Sequence, residues 1–287
     1  MRPSLRHLVR QGKPLITPLA YDALSARMIE RAGFKAMGIG GSGLLASRYG
    51  LPDVGIAALG EMAAGIGDIV QATGLAVMVD GDDGYGDVKS VVRMMEVFGR
   101  LGVSGVVLED QLRGAKQPGD AGAVGVASIA EMSAKLRAAA ATRDDPELQI
   151  IARSDAYKPE GLEQALRRCE AYLSAGANAV FIPSVRTPEE LRRIGETFRG
   201  QHIVAAMFEG RETWLSPGEM FDMGFSQLVF PGLLFTRVVE TLDRALAAFH
   251  AYAEGGPPVA SLADAKRTET ALAEAVAMAR WVGFEDH

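Results

Sequence analysis

The sequence holds one cysteine among 287 residues, so a disulfide within the chain is impossible. Long apolar runs are missing too. None approaches the roughly 18 residues of a membrane span, and the opening MRPSLRHLVRQGKP lacks the apolar centre of a secretory signal. Nor is there a basic block: 30 Lys and Arg are intermixed with 36 Asp and Glu, for a net charge of −6, which argues against nucleic acid as a partner. These absences exclude a membrane protein and lead us to expect a cytoplasmic one. The four histidines, His7, His202, His250 and His287, are scattered without metal-ligand spacing, so any metal must be a hard one held by oxygen. The lone Cys169 sits in LEQALRRCEAYLSAGA, whose neighbours repeat at helical spacing, and it reads as a buried structural thiol rather than a nucleophile.

What is present is core-forming material. Hydrophobic residues make up 48% and charged residues 23%, which excludes general disorder, and the length suits one α/β barrel with a small appendage. Short apolar runs with β-branched residues begin at Leu15, Ala36, Ala76, Gly105, Gln149, Ala179, His202 and Gln227, and each is a strand candidate. Between them run segments of helical period such as DVKSVVRMMEVFGRLG, several closing on the glycine in RAGF, RLGV, SAGA and DMGF just before the next strand. Repeats of helix, tight turn and buried parallel strand predict a (β/α)8 barrel of the TIM type over residues 1–254. An open doubly wound sheet would carry G-x-G-x-x-G after its first strand, whereas GIGGSG, Gly38 to Gly43, follows the second with other spacing. Residues 255–287 break at GGPPVA and then resume helix, predicting a C-terminal helical extension that is available to a neighbouring subunit. The Gly- and Ala-rich stretch from Leu112 to Val126 predicts a mobile loop after the fourth strand.

Barrels of this type carry their chemistry at the C-terminal ends of strands. Here those ends supply Ser42 and Gly43, Asp80 and Asp82, Glu109 and Asp110, Arg153 and Asp155, and Glu209. Carboxylates dominate, with one arginine opposite. In VMVDGDDGYG, Val77 to Gly86, an apolar run stops in clustered aspartates, which raise one another's pKa unless a cation sits among them. Burying that many acids unpaired costs several kcal/mol per charge. A divalent cation removes the conflict. Mg2+ suits best, because it keeps several waters and accepts one or two carboxylates plus substrate oxygens, with Mn2+ as a substitute. Asp83 reads as a turn residue and Asp155 as a tie between neighbouring strands.

Taken in order, PLAYDALSARMIERAGF, GSGLLASRYGLPD, the motif from Asp80 to Gly86, VVLEDQ, IIARSDA and MFEGRETWL span most of the chain. They resemble the isocitrate lyase and phosphoenolpyruvate mutase superfamily, whose D-A-D-x-G-[YF]-G segment is matched here with Gly in place of Ala. The resemblance implies that Asp80 binds Mg2+ directly while Asp82 and Glu109 act through bound waters. It implies that Ser42, Gly43 and Leu44 hydrogen-bond the substrate carboxylate, with Tyr21 beside them, and that Arg153 contacts the reacting oxygens. Glu209 joins the substrate-binding set. Asp53, in GLPD, matches an acid near the metal, while its setting equally suits a helix cap. A homotetramer whose subunits exchange the last barrel helix is implied as well.

The shared chemistry implied is that of a Mg2+-dependent lyase, in which a 2-oxo or 2-hydroxy carboxylic acid loses a substituent at C3 and a pyruvate-type enolate is stabilised. The chain departs from the carbon–carbon lyases of that superfamily. Their K-[KR]-C-G-H loop gives way to GAKQPGDAG, without Cys or His, leaving Lys116 as the obvious proton carrier. A glutamate after their sixth strand gives way to Pro183 and Ser184, an asparagine to Ala206, and a serine is lost in FPGLLFTR, where Arg237 falls about one position from the expected arginine. These losses point to a smaller or less charged departing group. Decarboxylation of an oxaloacetate-like acid is therefore expected first, then carbon–carbon cleavage of a substituted malate or methylisocitrate-like acid. A phosphonomutase needs a cationic pocket and a loop asparagine that is missing here, and an inactive scaffold would have no use for buried acids.

Overall fold

The computed structural model describes residues 2–116, 125–185, 187–208, 215–260 and 264–282. All the expected strands form: β1 (Leu15–Ala20), β2 (Ala36–Ile39), β3 (Ala76–Asp80), β4 (Gly105–Glu109), β5 (Gln149–Arg153), β6 (Ala179–Phe181), β7 (His202–Ala206) and β8 (Gln227–Phe230). Each pairs in parallel with the next, and β8 pairs back onto β1 from Leu15↔Gln227 to Pro18↔Phe230, which closes the barrel. The glycines that end the helices, Gly33, Gly102, Gly176 and Gly224, all take positive φ, a conformation that costs glycine little and so lets the chain turn tightly into the following strand.

Period-two alternation sorts the strand residues between two environments. Val77, Val79, Val106, Leu108, Ile150 and Ala152 join the core under the surrounding helices. Ala76, Met78, Val107, Ile151, Phe181, Val204 and Val229 form a second cluster inside the barrel. Toward the N-terminal end of the lumen, Gln227 Nε2 donates to Thr17 Oγ1 at 3.0 Å, and Gln227 Oε1 pairs with His202 Nε2 at 2.9 Å. The short helix Leu5–Leu8 plugs this floor with Leu5 and Leu8. Leu5 fits because residue 105 is glycine, where a Cβ would lie 2.8 Å from Leu5 Cδ2. Asp80, Glu109 and Arg153 terminate inner rows at the opposite end, so the polar chemistry is confined to one mouth.

The helix Phe235–Ala253 buries none of its residues. The helix Ala265–Ala275 turns back onto the chain's own helix Ala23–Arg31, where Arg27 donates to Ala275 O at 3.1 Å and Arg31 pairs with Glu274 at 2.6 Å. This part of the extension packs on its own barrel, with Arg27 on the carbonyl of Ala275 and Arg31 on the carboxylate of Glu274, and that contact neither requires nor precludes a neighbouring subunit. Among the described residues no helix is long and apolar enough to cross a membrane.

Leu5 is fully buried, so Leu5→Ala should destabilise the barrel by about 3 kcal/mol, the scale of a buried leucine truncation. Urea unfolding would measure it, and an unchanged midpoint would show that the plug is not part of the folded core.

Candidate active site

Past Asp80 the chain turns with Asp82 at φ 49°, Gly84 at 86° and Tyr85 at 61°. Aspartate tolerates the left-handed region better than most residues, and local bonds hold it there: Asp82 N–H donates to Asp80 Oδ1 at 3.0 Å, and Glu109 N–H donates to Asp82 O at 2.9 Å. Gly81 stands where a Cβ would lie 2.8 Å from Val107 O, which accounts for glycine in place of the expected alanine. Asp80, Asp82 and Glu109 each bring a carboxylate oxygen within 4.8 Å of the others.

The parallel register pairs Glu109 with Arg153, and Arg153 Nη1 lies 3.0 Å from Glu109 Oε2. Asp155 grips the same guanidinium, accepting from Nη2 at 2.9 Å. On the other side Lys116 Nζ lies 2.5 Å from Asp82, 2.9 Å from Asp53 and 3.6 Å from Glu109. Burial pushes the Glu109 carboxyl up to about 8, against the opposing pull of Arg153 and Lys116. Burial and then Asp80 raise Asp82. For Lys116 burial acts downward, but Glu109, Asp80, Asp82 and Asp53 together outweigh it and hold the ammonium above the usual lysine range. The lysine is therefore a cation at neutral pH.

This donor set suits a hard divalent ion. It is all oxygen, the spacing spans the roughly 4 Å across a Mg2+ coordination sphere with room for water, and buried Glu109 Oε2 has no hydrogen-bond partner among the described residues. A water bound to a metal would satisfy that orphaned oxygen.

The remaining candidates gather around this cluster. Ser42, Gly43 and Leu44 lie in the first turn of the helix Gly41–Tyr49, where the first N–H groups lack an intrahelical acceptor; Gly41 N–H donates to Asp80 Oδ2 at 3.4 Å, while Leu44 N–H already reaches the N-cap carbonyl of Gly40 at 3.4 Å. Close approach shapes this turn, since a Cβ on Gly43 would lie 3.0 Å from Tyr21 Cβ and one on Gly41 3.0 Å from Asp53 Oδ2. Tyr21 meets Phe235 edge-on, with centroids 5.3 Å apart. Asp53 caps no helix: the next one, Leu59–Gln71, has Ala58 at its N-cap, and Asp53 faces Lys116 instead. Asp83 serves its turn by accepting from Tyr85 N–H at 3.1 Å. It also holds Arg113 at 2.7 Å, a pairing that nothing in the sequence spacing announces. Glu209 and residues 117–124 of the strand-four loop lie outside the described residues. Cys169 is fully buried and its thiol is pushed well up by burial, which removes it from the chemistry.

The fold and cluster define a parallel (β/α)8 barrel with a candidate metal site at the carboxyl ends of its strands. A family model described as phosphoenolpyruvate phosphomutase matches residues 5–250, and the chain belongs to that family. It is 37% identical to 2,3-dimethylmalate lyase of Eubacterium barkeri over 79% of this chain and 78% of that protein. It is 33% identical to 2-methylisocitrate lyase of Shewanella oneidensis over 79% and 77%. The solved structure of oxaloacetate acetylhydrolase with its product oxalate superimposes with a TM-score of 0.85 at 27% identity, covering 98% of this chain and 97% of that one.

With its carboxyl raised to about 8 by burial, Glu109 favours its protonated form at neutral pH, and a divalent cation at the mouth favours the ionised form instead. Cation binding should therefore release up to about one proton near pH 7 and tighten as pH rises from 6 to 8. Calorimetry in buffers of different ionisation enthalpy would measure the release, and a pH-independent affinity would contradict the assignment of Glu109.

Proposed function

We propose that the protein is a Mg2+-dependent lyase cleaving a bond at C3 of a 2-oxo or 2-hydroxy carboxylic acid, and that decarboxylation of an oxaloacetate-like acid is the reaction its site supports best. The observation that carries this reading is the juxtaposition of Asp80, Asp82 and Glu109 with Arg153 and cationic Lys116 at one barrel mouth.

In this reading Asp80 would hold Mg2+ directly, with Asp82 and Glu109 reaching it through its waters. When bound, the ion supplies Lewis acidity toward the substrate's carboxylate and C2 oxygen. The segment Ser42, Gly43 and Leu44 at the helix N-terminus binds the substrate carboxylate, with the Ser42 and Gly43 N–H groups as its leading donors and Tyr21 closing the side. Arg153, clamped by Asp155, stabilises charge on the C2 oxygen as the C3–C4 electron pair moves into C2–C3 and C4 departs as carbon dioxide. The enolate carbon then needs a proton. Lys116 carries a proton at neutral pH and cannot abstract one, and because its acidic neighbours also weaken it as an acid, water can deliver the proton as readily. Phe181, 5.9 Å from the Arg153 guanidinium by ring centroid, and Ala206, packed against the lumen cluster, favour a departing group without charge-pairing needs.

Carbon–carbon cleavage of a substituted malate is the second reading, favoured by the 37% identity to a dimethylmalate lyase; it requires a base for the C2 hydroxyl. Phosphoryl transfer is less well supported, because Arg113 is already committed to Asp83 and to the carbonyls of Gly55 and Ala57.

Asp80→Ala should abolish Mg2+-dependent turnover of a panel of oxaloacetate, 2-methylisocitrate, 2,3-dimethylmalate and phosphonopyruvate while leaving circular dichroism unchanged. Retained activity would remove the site assignment, and a metal-loaded wild type that turns over none of the four would remove the reading.

The catalytic unit is taken as residues 1–254, with 255–287 accessory, in a homotetramer whose subunits exchange the helix Phe235–Ala253. In support, Val239, Leu242, Leu246 and Phe249 recur at helical spacing and are 50%, 56%, 66% and 60% exposed, an apolar stripe that a lone chain leaves in water. Leu246→Glu should lower the mass seen by light scattering in solution; a monomeric wild type would refute the assembly.

A further inference from the structure

Behind the barrel mouth lies a charged cluster that the mechanism above does not use. Asp110 follows Glu109, and the strand alternation turns it away from the lumen; it is 1% exposed. Its Oδ2 accepts from Ser154 Oγ and from Tyr172 Oη, each at 2.8 Å, and lies 3.5 Å from Arg168 Nη1. Its Oδ1 accepts from Asp155 N–H at 2.8 Å. Arg168 is fixed in turn by Glu160, at 2.9 and 3.0 Å, and donates to Ala127 O at 2.7 Å. Apolar residues of the same volume would serve stability at least as well as a buried charged cluster, so its placement calls for another account.

The account lies in what Asp110 holds. It fixes the backbone of Asp155, the residue whose carboxylate grips Arg153. One arm of that grip is a hydrogen bond, Nη2 to Oδ1 at 2.9 Å. The other brings Nε to 2.9 Å from Oδ2, yet neither of these buried atoms makes a hydrogen bond among the described residues, so the second arm is misaligned. The direction of the guanidinium then depends on a small displacement of the Asp155 backbone, because an aligned fork is directional. Asp110 O also accepts from Ala127 N–H at 2.8 Å, anchoring the returning end of the strand-four loop to the same point.

We propose that Asp110, held by Tyr172 and Arg168, is a positioning residue that aims Arg153 through Asp155. The proposal rests on the reading that Arg153 binds the substrate's oxygens. Oxalate in the presence of saturating Mg2+ is the probe. Tyr172→Phe removes one donor to Asp110 and keeps the ring, and Asp110→Asn keeps the shape and removes the charge. Each should weaken oxalate binding about tenfold, the lower end of what supporting residues contribute, while Mg2+ affinity without oxalate stays within about twofold. In an Arg153→Lys background, which keeps a charge but not the fork, the further loss should shrink to about twofold or less. Should one variant fail to fold, the other carries the test. Full oxalate affinity in the variants, an equal loss of Mg2+ and oxalate, or an undiminished loss in the Arg153→Lys background would overturn the proposal. If Arg153→Lys alone weakens oxalate binding while Tyr172→Phe and Asp110→Asn do not, the functional reading stands and only the positioning role falls. A wild type that takes up no oxalate with Mg2+ would overturn the functional reading and this proposal with it.

Discussion

Parallel strands in fixed register cannot place Glu109 without placing Arg153 beside it, and the rest of the mouth answers to that pair. Burial alone would drive the carboxyl neutral; the arginine and Lys116 pull the other way without fully prevailing. One oxygen is left without a hydrogen bond among the described residues, and Asp80 and Asp82 add acidic groups within reach. Such a cluster costs on the order of several kcal/mol as it stands. The cost is intelligible if a ligand of the native state offsets it, since anything binding only the folded protein stabilises it by mass action.

The opposite end of the barrel compensates. There the lumen is closed by leucines of the first helix, and Gln227 bridges two of its polar groups, donating to Thr17 and pairing with His202 Nε2. The glycine that admits Leu5 belongs to β4, the strand that carries Glu109 at its other end. One strand thus anchors the packed floor and presents the costly acid at the mouth, the division between stability and chemistry expected of this architecture.

Much of this was legible in the sequence because it is written in local patterns. The strands begin where the apolar runs begin, and the inner and outer faces follow from alternation. The acids at strand ends converge because closure leaves them nowhere else to go. Long side chains were less legible. That Lys116 would reach three carboxylates, or that Arg113 would leave the mouth for Asp83 and two carbonyls, depends on loop paths that carry no periodicity. The fold-back of Ala265–Ala275 onto Ala23–Arg31 was hidden for the same reason: an amphipathic helix declares that it has a partner, not which one.

Alternation also explains why chemistry and its support can sit on one rung of the barrel. Glu109 and Arg153 face the lumen, while the residues that follow them, Asp110 and Ser154, face the helices and bond each other at 2.8 Å. Two adjacent strands therefore hold the Glu109–Arg153 pair on one face and a hydrogen-bonded pair on the other, with Asp155 belonging to both through its carboxylate and its N–H. A change on the helix-facing side, at Tyr172 or Arg168, can reach the lumen without crossing more than one residue of backbone. Such coupling is short enough to act through geometry alone, and it makes the outer face of β4 and β5 as much a determinant of the site as the groups that line it.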